Sequence, residues 1–386
     1  MTINCPICSN LITSEAFYET VQPVNENVFF DSIITAKSSA IGKISLVFCD
    51  KCSFVFNKDF KLDLVDYSDQ YQYTLPPSAQ FMNFINQMVK TLVHDQNIQN
   101  KTILELGCGK GEFLNEICSI GNNKGLGYDT CYEGPLEVKS PKLKFYNRFY
   151  NRMLDNNTYG DLVIARQTLE HIETPHSFVL DMLSALKEGG SICLETPNLD
   201  WILDNCTFWD FYYEHCSYYN SVSYMHLLSK HGLREKDTYY WFKDQYMSVI
   251  AEKGDGLEVS LPDTNSTKLR IENFCNSYQQ KRIRIQNFCI EKLEIGNMII
   301  WGGAAKGVTF CNLFRDYLES SVVVDINPIR QDKYIPCVGN KIISPIDAIN
   351  YNPKTILVMN QQYLNEISQM CSELGIHADV FAVDLI

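Results

Sequence analysis

Two cysteine pairs, Cys5-Pro-Ile-Cys8 and Cys49-Asp-Lys-Cys52, stand ahead of a glycine-rich turn, Glu105-Leu-Gly-Cys-Gly-Lys-Gly111. A gap of two residues lets both thiolates of a pair reach one ion, and two such knuckles complete the tetrahedral shell that zinc prefers. Short strands folded over a metal are therefore expected in the first part of the chain, where β-branched and aromatic residues are dense, as in Lys43 to Phe56. Four cysteine ligands leave no open coordination position. The zinc expected on Cys5, Cys8, Cys49 and Cys52 is structural and activates no water.

The chain has 386 residues, too many for one ordinary core, and an apolar content of 45% is enough to fill two or three. Its net charge of -13, with no long basic run, disfavours nucleic acid as a partner. Residues 1 to 20 lack a basic segment followed by an apolar run, and the apolar stretch from Met298 to Phe310 is broken by Lys306, short of a bilayer span. A cytoplasmic protein with no membrane partner is expected. The remaining cysteines of the 15 are scattered singly in apolar segments, as reduced thiols would be.

The organisation follows from periodicity. Phe81, Phe84, Ile85, Met88, Val89 and Leu92 recur at helical spacing, and strands then alternate with helices: Thr102 to Leu106, Gly125 to Tyr128, Asp161 to Ala165 and Ser191 to Glu195 read as strands, Glu112 to Ile120 and Pro175 to Leu186 as helices. Such alternation implies a parallel sheet covered on both faces. Gly254 to Thr267 is a polar connector, Lys268 to Leu293 a long helix, and Met298 to Trp301, Ser321 to Asp325, Thr355 to Met359 and Asp379 to Val383 begin a second alternation. The expected class is α/β: a zinc-binding module at 1–75, a doubly wound sheet at 76–253, a connector and long helix at 254–296, and a smaller Rossmann-like α/β domain at 297–386.

The cofactor reading rests on the first glycine turn. Its glycines let the backbone bend from strand to helix and approach a ligand, while the helix start offers free amides to a phosphate or to an amino-acid moiety. The spacing separates the two. A dinucleotide fingerprint is Gly-x-Gly-x-x-Gly, whereas this turn is acid-x-Gly-x-Gly-x-Gly, and Glu105 would repel a pyrophosphate but orient an ammonium group. S-adenosyl-L-methionine (SAM) fits better than NAD. Asp129 closes the next strand, where a carboxylate can accept both ribose hydroxyls, and Gln167 joins Glu105, Gly107, Gly109, Gly111 and Asp129 in the expected cofactor set.

Three further segments carry chemistry. Asp161 to His171 runs from a strand into a loop, bringing Glu170 and His171 to the carboxyl edge of the sheet, where open α/β sheets bind ligands. Phe208-Trp-Asp-Phe-Tyr-Tyr-Glu-His-Cys-Ser-Tyr-Tyr219 sets Glu214 and His215 among aromatics, a surrounding that shifts ionisation toward proton transfer. Trp301-Gly-Gly-Ala-Ala-Lys-Gly307, with Asp325 after the next strand, suits a dinucleotide, a nucleoside diphosphate or close packing alone, and Lys306 favours an anionic guest.

In this order the cysteine pairs, the acid-x-Gly-x-Gly-x-Gly turn, His171, the Tyr-x-Glu-His element (Tyr212, Glu214, His215) and the turn Gly303 to Gly307 resemble the three-domain, zinc-containing sugar C-methyltransferases that act on nucleotide-linked 4-keto-6-deoxyhexoses. The resemblance covers nearly the whole chain and implies methylation of carbon beside a ketone. It places His215 as base with Glu214 adjacent, Tyr212 as a second candidate base, and His171 as donor to the developing oxygen. It further implies that the sugar nucleotide meets Tyr73, within the aromatic stretch Tyr67 to Tyr73, and Tyr213, Gly303 and Lys306. The chain departs from the family at Lys243 to Met247, where many members carry a His-Gly-Gly type sequence, and at Asp129, where some have Glu. The competing readings are methyl transfer to oxygen or nitrogen of a related nucleotide-sugar or glycan, an NAD-dependent oxidoreductase using the second glycine turn, and a zinc-ribbon adaptor for nucleic acid.

Overall fold

The computed structural model describes residues 2–65, 78–135, 142–254 and 263–386. Its centre is a seven-stranded sheet built from β1 (Thr102–Leu106), β2 (Lys124–Tyr128), β3 (Leu143–Tyr146), β4 (Gly160–Arg166), β5 (Leu186–Pro197), β6 (Leu233–Trp241) and β7 (Tyr246–Lys253). The spatial order is β6-β7-β5-β4-β1-β2-β3, with β1 to β5 parallel and β7 antiparallel to both its neighbours. The inner strands β1 and β4 are almost wholly buried, as expected of a parallel sheet covered on both faces. The chain reverses its direction of winding at β1 and β4, and the register sets Glu105 opposite Ile164 and Arg166 opposite Glu195. The carboxyl ends of β1, β4 and β5 thus meet at one edge, the crevice where such sheets take ligands.

The amino-terminal module pairs Tyr18–Pro23, Ile41–Phe48 and Val55–Asn57 in an antiparallel sheet. Its fourth strand is Ser217–Tyr218, from the aromatic segment 160 residues further on by number, Ser217 facing Phe56. The module is therefore stitched to the segment that follows β5 of the central sheet by backbone hydrogen bonds. The carboxy-terminal domain is a parallel sheet of β8 (Met298–Trp301), β9 (Val323–Val324), β10 (Ile342–Ile343), β11 (Thr355–Val358) and β12 (Asp379–Ala382), in the order β10-β9-β8-β11-β12.

A helix at Asn265–Ile295 joins the two. Its buried positions Thr267, Ile271, Phe274, Lys281, Ile285 and Cys289 recur at steps of three, four and seven, so one stripe faces inward. Phe274 meets Tyr18 and Phe211, and Trp209 packs edge-on to Phe310 at 6.0 Å. One apolar cluster therefore runs from the amino-terminal sheet through the aromatic segment into the last domain. Burial of such rings contributes roughly 1.5–3 kcal/mol each, so the three parts are held as one body by their cores rather than by surface charge.

The expected strands and helices are present with shifts of a few residues at their ends. Strand β3 and the β6–β7 hairpin lie outside the expected pattern; the hairpin turn holds Phe242, Lys243 and Asp244 all at positive φ. The connector is described only at its two ends.

Candidate active site

The first glycine turn leaves β1 and enters the helix Glu112–Gly121, with Gly107, Gly109 and Gly111 all at positive φ (80°, 53° and 81°). A Cβ on Gly107 would lie 2.2 Å from Thr168 Oγ1, and one on Gly111 would strike the Phe145 ring at 2.4 Å, whereas one on Gly109 would meet open space. The middle glycine is the one whose backbone a ligand can approach. The Asp129 carboxylate accepts from the amides of Gly109 and Cys131, each at 2.8 Å, which fixes it beside the turn with lone pairs to spare for hydroxyls.

Glu105 is 2% exposed, and its Oε2 has no hydrogen-bond partner. Burial pushes its carboxyl up to about 8, against the opposing pull of Arg166. An orphaned buried carboxyl at the strand end fits a ligand that brings an ammonium group, as SAM does. On β4 and β5, Arg166 Nε donates to Glu195 Oε2 at 2.7 Å and its guanidinium lies 4.1 Å over the Phe113 ring. Gln167, at φ 48°, donates from Nε2 to Glu195 Oε1 at 3.0 Å. That bend turns the chain toward Thr168 and the glycine turn.

Two adjoining cavities, about 290 Å³ and about 220 Å³, open between the central sheet and the last domain. Gln167, Tyr212, His215, Tyr246, Ala304, Ala305 and Arg330 line both, so they form one cleft. His171 and His215 meet edge to face at 4.8 Å, and Tyr212 approaches His215 at 4.9 Å. The sequence-expected pair is thus brought together from two segments more than forty residues apart. His171 Nδ1 lies 3.1 Å from the Glu214 carbonyl, which only accepts, so Nδ1 carries the proton and Nε2 the lone pair. Loss of solvent pulls His171 down to about 4 and His215 well below its ordinary value, so both are neutral near pH 7. A neutral His171 in this tautomer offers a lone pair at Nε2.

Glu214 adopts a different part from the one its neighbour suggested. Its Oε1 accepts from the Glu26 amide at 2.6 Å, while Glu26 Oε1 accepts from the Tyr213 amide at 2.9 Å. Burial, reinforced by the facing carboxyl, holds Glu26 well above the usual carboxylate range. Each buried acid thus accepts from a backbone amide of the other's segment, clamping the amino-terminal module onto the Tyr-x-Glu-His element, and both acids border the smaller cavity. Nothing in the sequence near Glu26 marks it for this position.

Tyr213, expected to touch the substrate, is fully buried instead. Its oxygen accepts from the Lys61 amide at 3.0 Å, and its ring covers Gly42, where a Cβ would stand 2.1 Å from a ring carbon. Tyr212 lines the cleft while Tyr213 faces the module. Tyr73 and the stretch Tyr67 to Tyr73 lie outside the described residues. Gly303 donates to Asp325 Oδ2 at 2.9 Å, and Lys306 donates to Asp210 Oδ2 at 2.7 Å, so its charge is already matched.

Metal-ligand geometry occurs in two places among the described residues. The sulfurs of Cys5, Cys8, Cys49 and Cys52 lie within 4.8 Å of one another, with Cys5–Cys52 at 3.5 Å and Cys8–Cys49 at 3.4 Å. A tetrahedron with bonds of about 2.3 Å has edges of roughly 3.8 Å, so the cage is of zinc size. The Asn10 amide nitrogen lies 3.8 Å from Cys49 Sγ, an outer-shell donor. Donor atoms of Glu170, His171 and His215 also lie within 4.8 Å of one another; the Glu170 carboxyl is 1% exposed, and burial holds it well above the usual carboxylate range.

Residues 78–235 match a family model described as a methyltransferase domain. The chain is similar to the mitochondrial ubiquinone biosynthesis O-methyltransferase of Dictyostelium discoideum, 23% identical over 26% of this chain and 36% of that protein. It is also similar to the ubiquinone biosynthesis O-methyltransferase of Hydrogenovibrio crunogenus, 26% identical over 28% of this chain and 46% of that one. The chain thus spans between a third and a half of the length of these curated relatives. Among solved structures, magnesium protoporphyrin IX methyltransferase from Synechocystis with bound SAH is 16% identical, covering 46% of this chain and 89% of that one with a TM-score of 0.36. The glycine turn, the acid after β2 and the five parallel strands β1 to β5 all fall within the matched region. Residues 78–235 are a class I SAM-dependent methyltransferase domain, set between a four-cysteine module and a parallel α/β domain.

Proposed function

We propose that the protein transfers the methyl group of SAM to a carbon beside a ketone on a nucleotide-linked deoxysugar, with a structural zinc on Cys5, Cys8, Cys49 and Cys52. The observation that carries this reading is the edge-to-face contact of His171 and His215 on the wall of a cleft that also receives Gln167 from the cofactor edge. Methylation of oxygen needs one base for a hydroxyl; methylation of carbon needs a base for a C–H bond and a donor for the oxygen that becomes negative.

When bound, SAM supplies an electrophilic methyl on a sulfonium. Glu105, Gly109 and Asp129 are the residues that would hold it, through its ammonium, its approach to the backbone and its ribose. A neutral imidazole of the pair, His215 in the first instance, takes the proton from the α-carbon. The C–H electrons pass into the enolate, and the new imidazolium donates to the enolate oxygen. SAM, if held there, would supply the methyl to the nucleophilic carbon and leave as S-adenosylhomocysteine, and the imidazolium would release its proton to solvent. The larger cavity, with Trp301, Gly302 and Val324 on its wall, supports a place for the nucleotide part.

Solvent exchange tests the proton step without methyl transfer. Incubation of a nucleotide-linked 4-keto-6-deoxyhexose with the protein and S-adenosylhomocysteine in deuterated water is expected to label the α-carbon, and His215→Asn is expected to slow labelling on the order of a hundredfold. Absence of labelling with the intact protein would favour transfer to oxygen or nitrogen.

A further inference from the structure

Lys306 belongs to the glycine-rich turn of the last domain, yet its ammonium is bonded to the aromatic segment of the central one. Lys306 Nζ donates to Asp210 Oδ2 at 2.7 Å, and the other oxygen of that carboxylate, Oδ1, accepts from the Tyr212 phenol, also at 2.7 Å. Asp210 is 6% exposed and Tyr212 8%. The lysine ammonium lies 5.1 Å over the Trp201 ring, and Tyr212 touches His215 edge to face. Lysine, aspartate, tyrosine and histidine thus form one line of contacts across a domain boundary, and all four border the larger cavity.

A fastening between domains would be served as well by apolar packing, since desolvating a lysine and an aspartate offsets most of what their attraction returns. What a buried, hydrogen-bonded charge pair adds is a fixed direction for its partners. The phenol has a single proton, and that proton is committed to Asp210, so its oxygen faces the cavity side with lone pairs only. Tyr212 is thereby an oriented acceptor beside His215.

We propose that Lys306 is a positioning residue of the transfer site: held on Asp210, it fixes the Tyr212 phenol against His215, so that the site is complete only with the last domain docked. This rests on the reading of His215 given above, but it is tested without any acceptor. The full chain carrying 3-fluorotyrosine at position 212 is examined by fluorine NMR in the presence of S-adenosylhomocysteine. One resonance is expected for the otherwise unchanged protein. Lys306→Met is expected to move or split that line by more than its width, Asp210→Asn to do the same, and Lys306→Arg to restore a single line, with S-adenosylhomocysteine affinity by calorimetry unchanged throughout. Lys306→Gln replaces Lys306→Met if the latter fails to fold. A Lys306→Met or Lys306→Gln spectrum that superimposes on the parent, even with lowered thermal stability, would reduce the pair to a domain fastening and overturn the proposal. Failure of sugar methylation with the fluorine result intact would instead indict the acceptor assignment.

Discussion

His171 has its role set by one carbonyl. Because the Glu214 carbonyl can only accept, the imidazole proton is held on Nδ1, and enclosure keeps the ring neutral down to about pH 4. Nitrogen-detected NMR of the full chain is expected to show His171 as the Nδ1–H tautomer at pH 7, titrating near 4; a midpoint above 6 would refute the assignment. The sign for stability follows. The unfolded chain takes up this proton near pH 6.5 and the folded chain near 4, so the histidine's contribution is present above 6.5 and is lost as pH falls toward 4. The candidate pair His171 and His215 was legible because each sits in a recognisable segment at the end of a strand. Glu26 was not, since it becomes part of the site only by bonding residues nearly 190 positions away. Tyr213 misled for the opposite reason: it stands beside a cleft residue in sequence and behind it in space.

Among the elements, the strand-to-helix turn after β1 sets where a cofactor can lie, and its three glycines do different work. Gly107 is hemmed in by Thr168 and Gly111 by Phe145, while Gly109 faces open space. Gly107→Ala combines positive-φ strain with a contact at 2.2 Å and is expected to cost about 3 kcal/mol in denaturant unfolding. Gly109→Ala carries the strain alone and is expected to cost about 1 kcal/mol, while still weakening S-adenosylhomocysteine binding because its methyl occupies the approach. Equal stability losses would contradict this division. The turn and the parallel strands were evident from glycine spacing and apolar runs. The β6–β7 hairpin was not, because Phe242, Lys243 and Asp244 make its turn without a glycine and against the usual preference for φ below zero.

The whole molecule is three modules closed around one cleft. The four-cysteine module reaches the candidate site through Ser217–Tyr218 pairing with Val55–Asn57 and through Glu26, so a metal bound there would be linked to the geometry of that site. One zinc per chain is expected by elemental analysis. Cys49→Ser or a strong chelator is expected to remove it and lower the melting temperature, with S-adenosylhomocysteine binding weakened at temperatures where the module loosens. Retention of full stability by the metal-free chain would show that the thiols only pack. No helix among the described residues is long and apolar enough to cross a membrane.

The central claim is that carbon receives the methyl. Supplying SAM with a carbon-13 methyl group and a nucleotide-linked 4-keto-6-deoxyhexose, then reading the product by proton–carbon NMR, tests it most directly. The account predicts a labelled methyl on a quaternary or tertiary ring carbon adjacent to the ketone, with long-range coupling to that carbonyl; a labelled methyl at the shift of a methoxy or N-methyl group would contradict it.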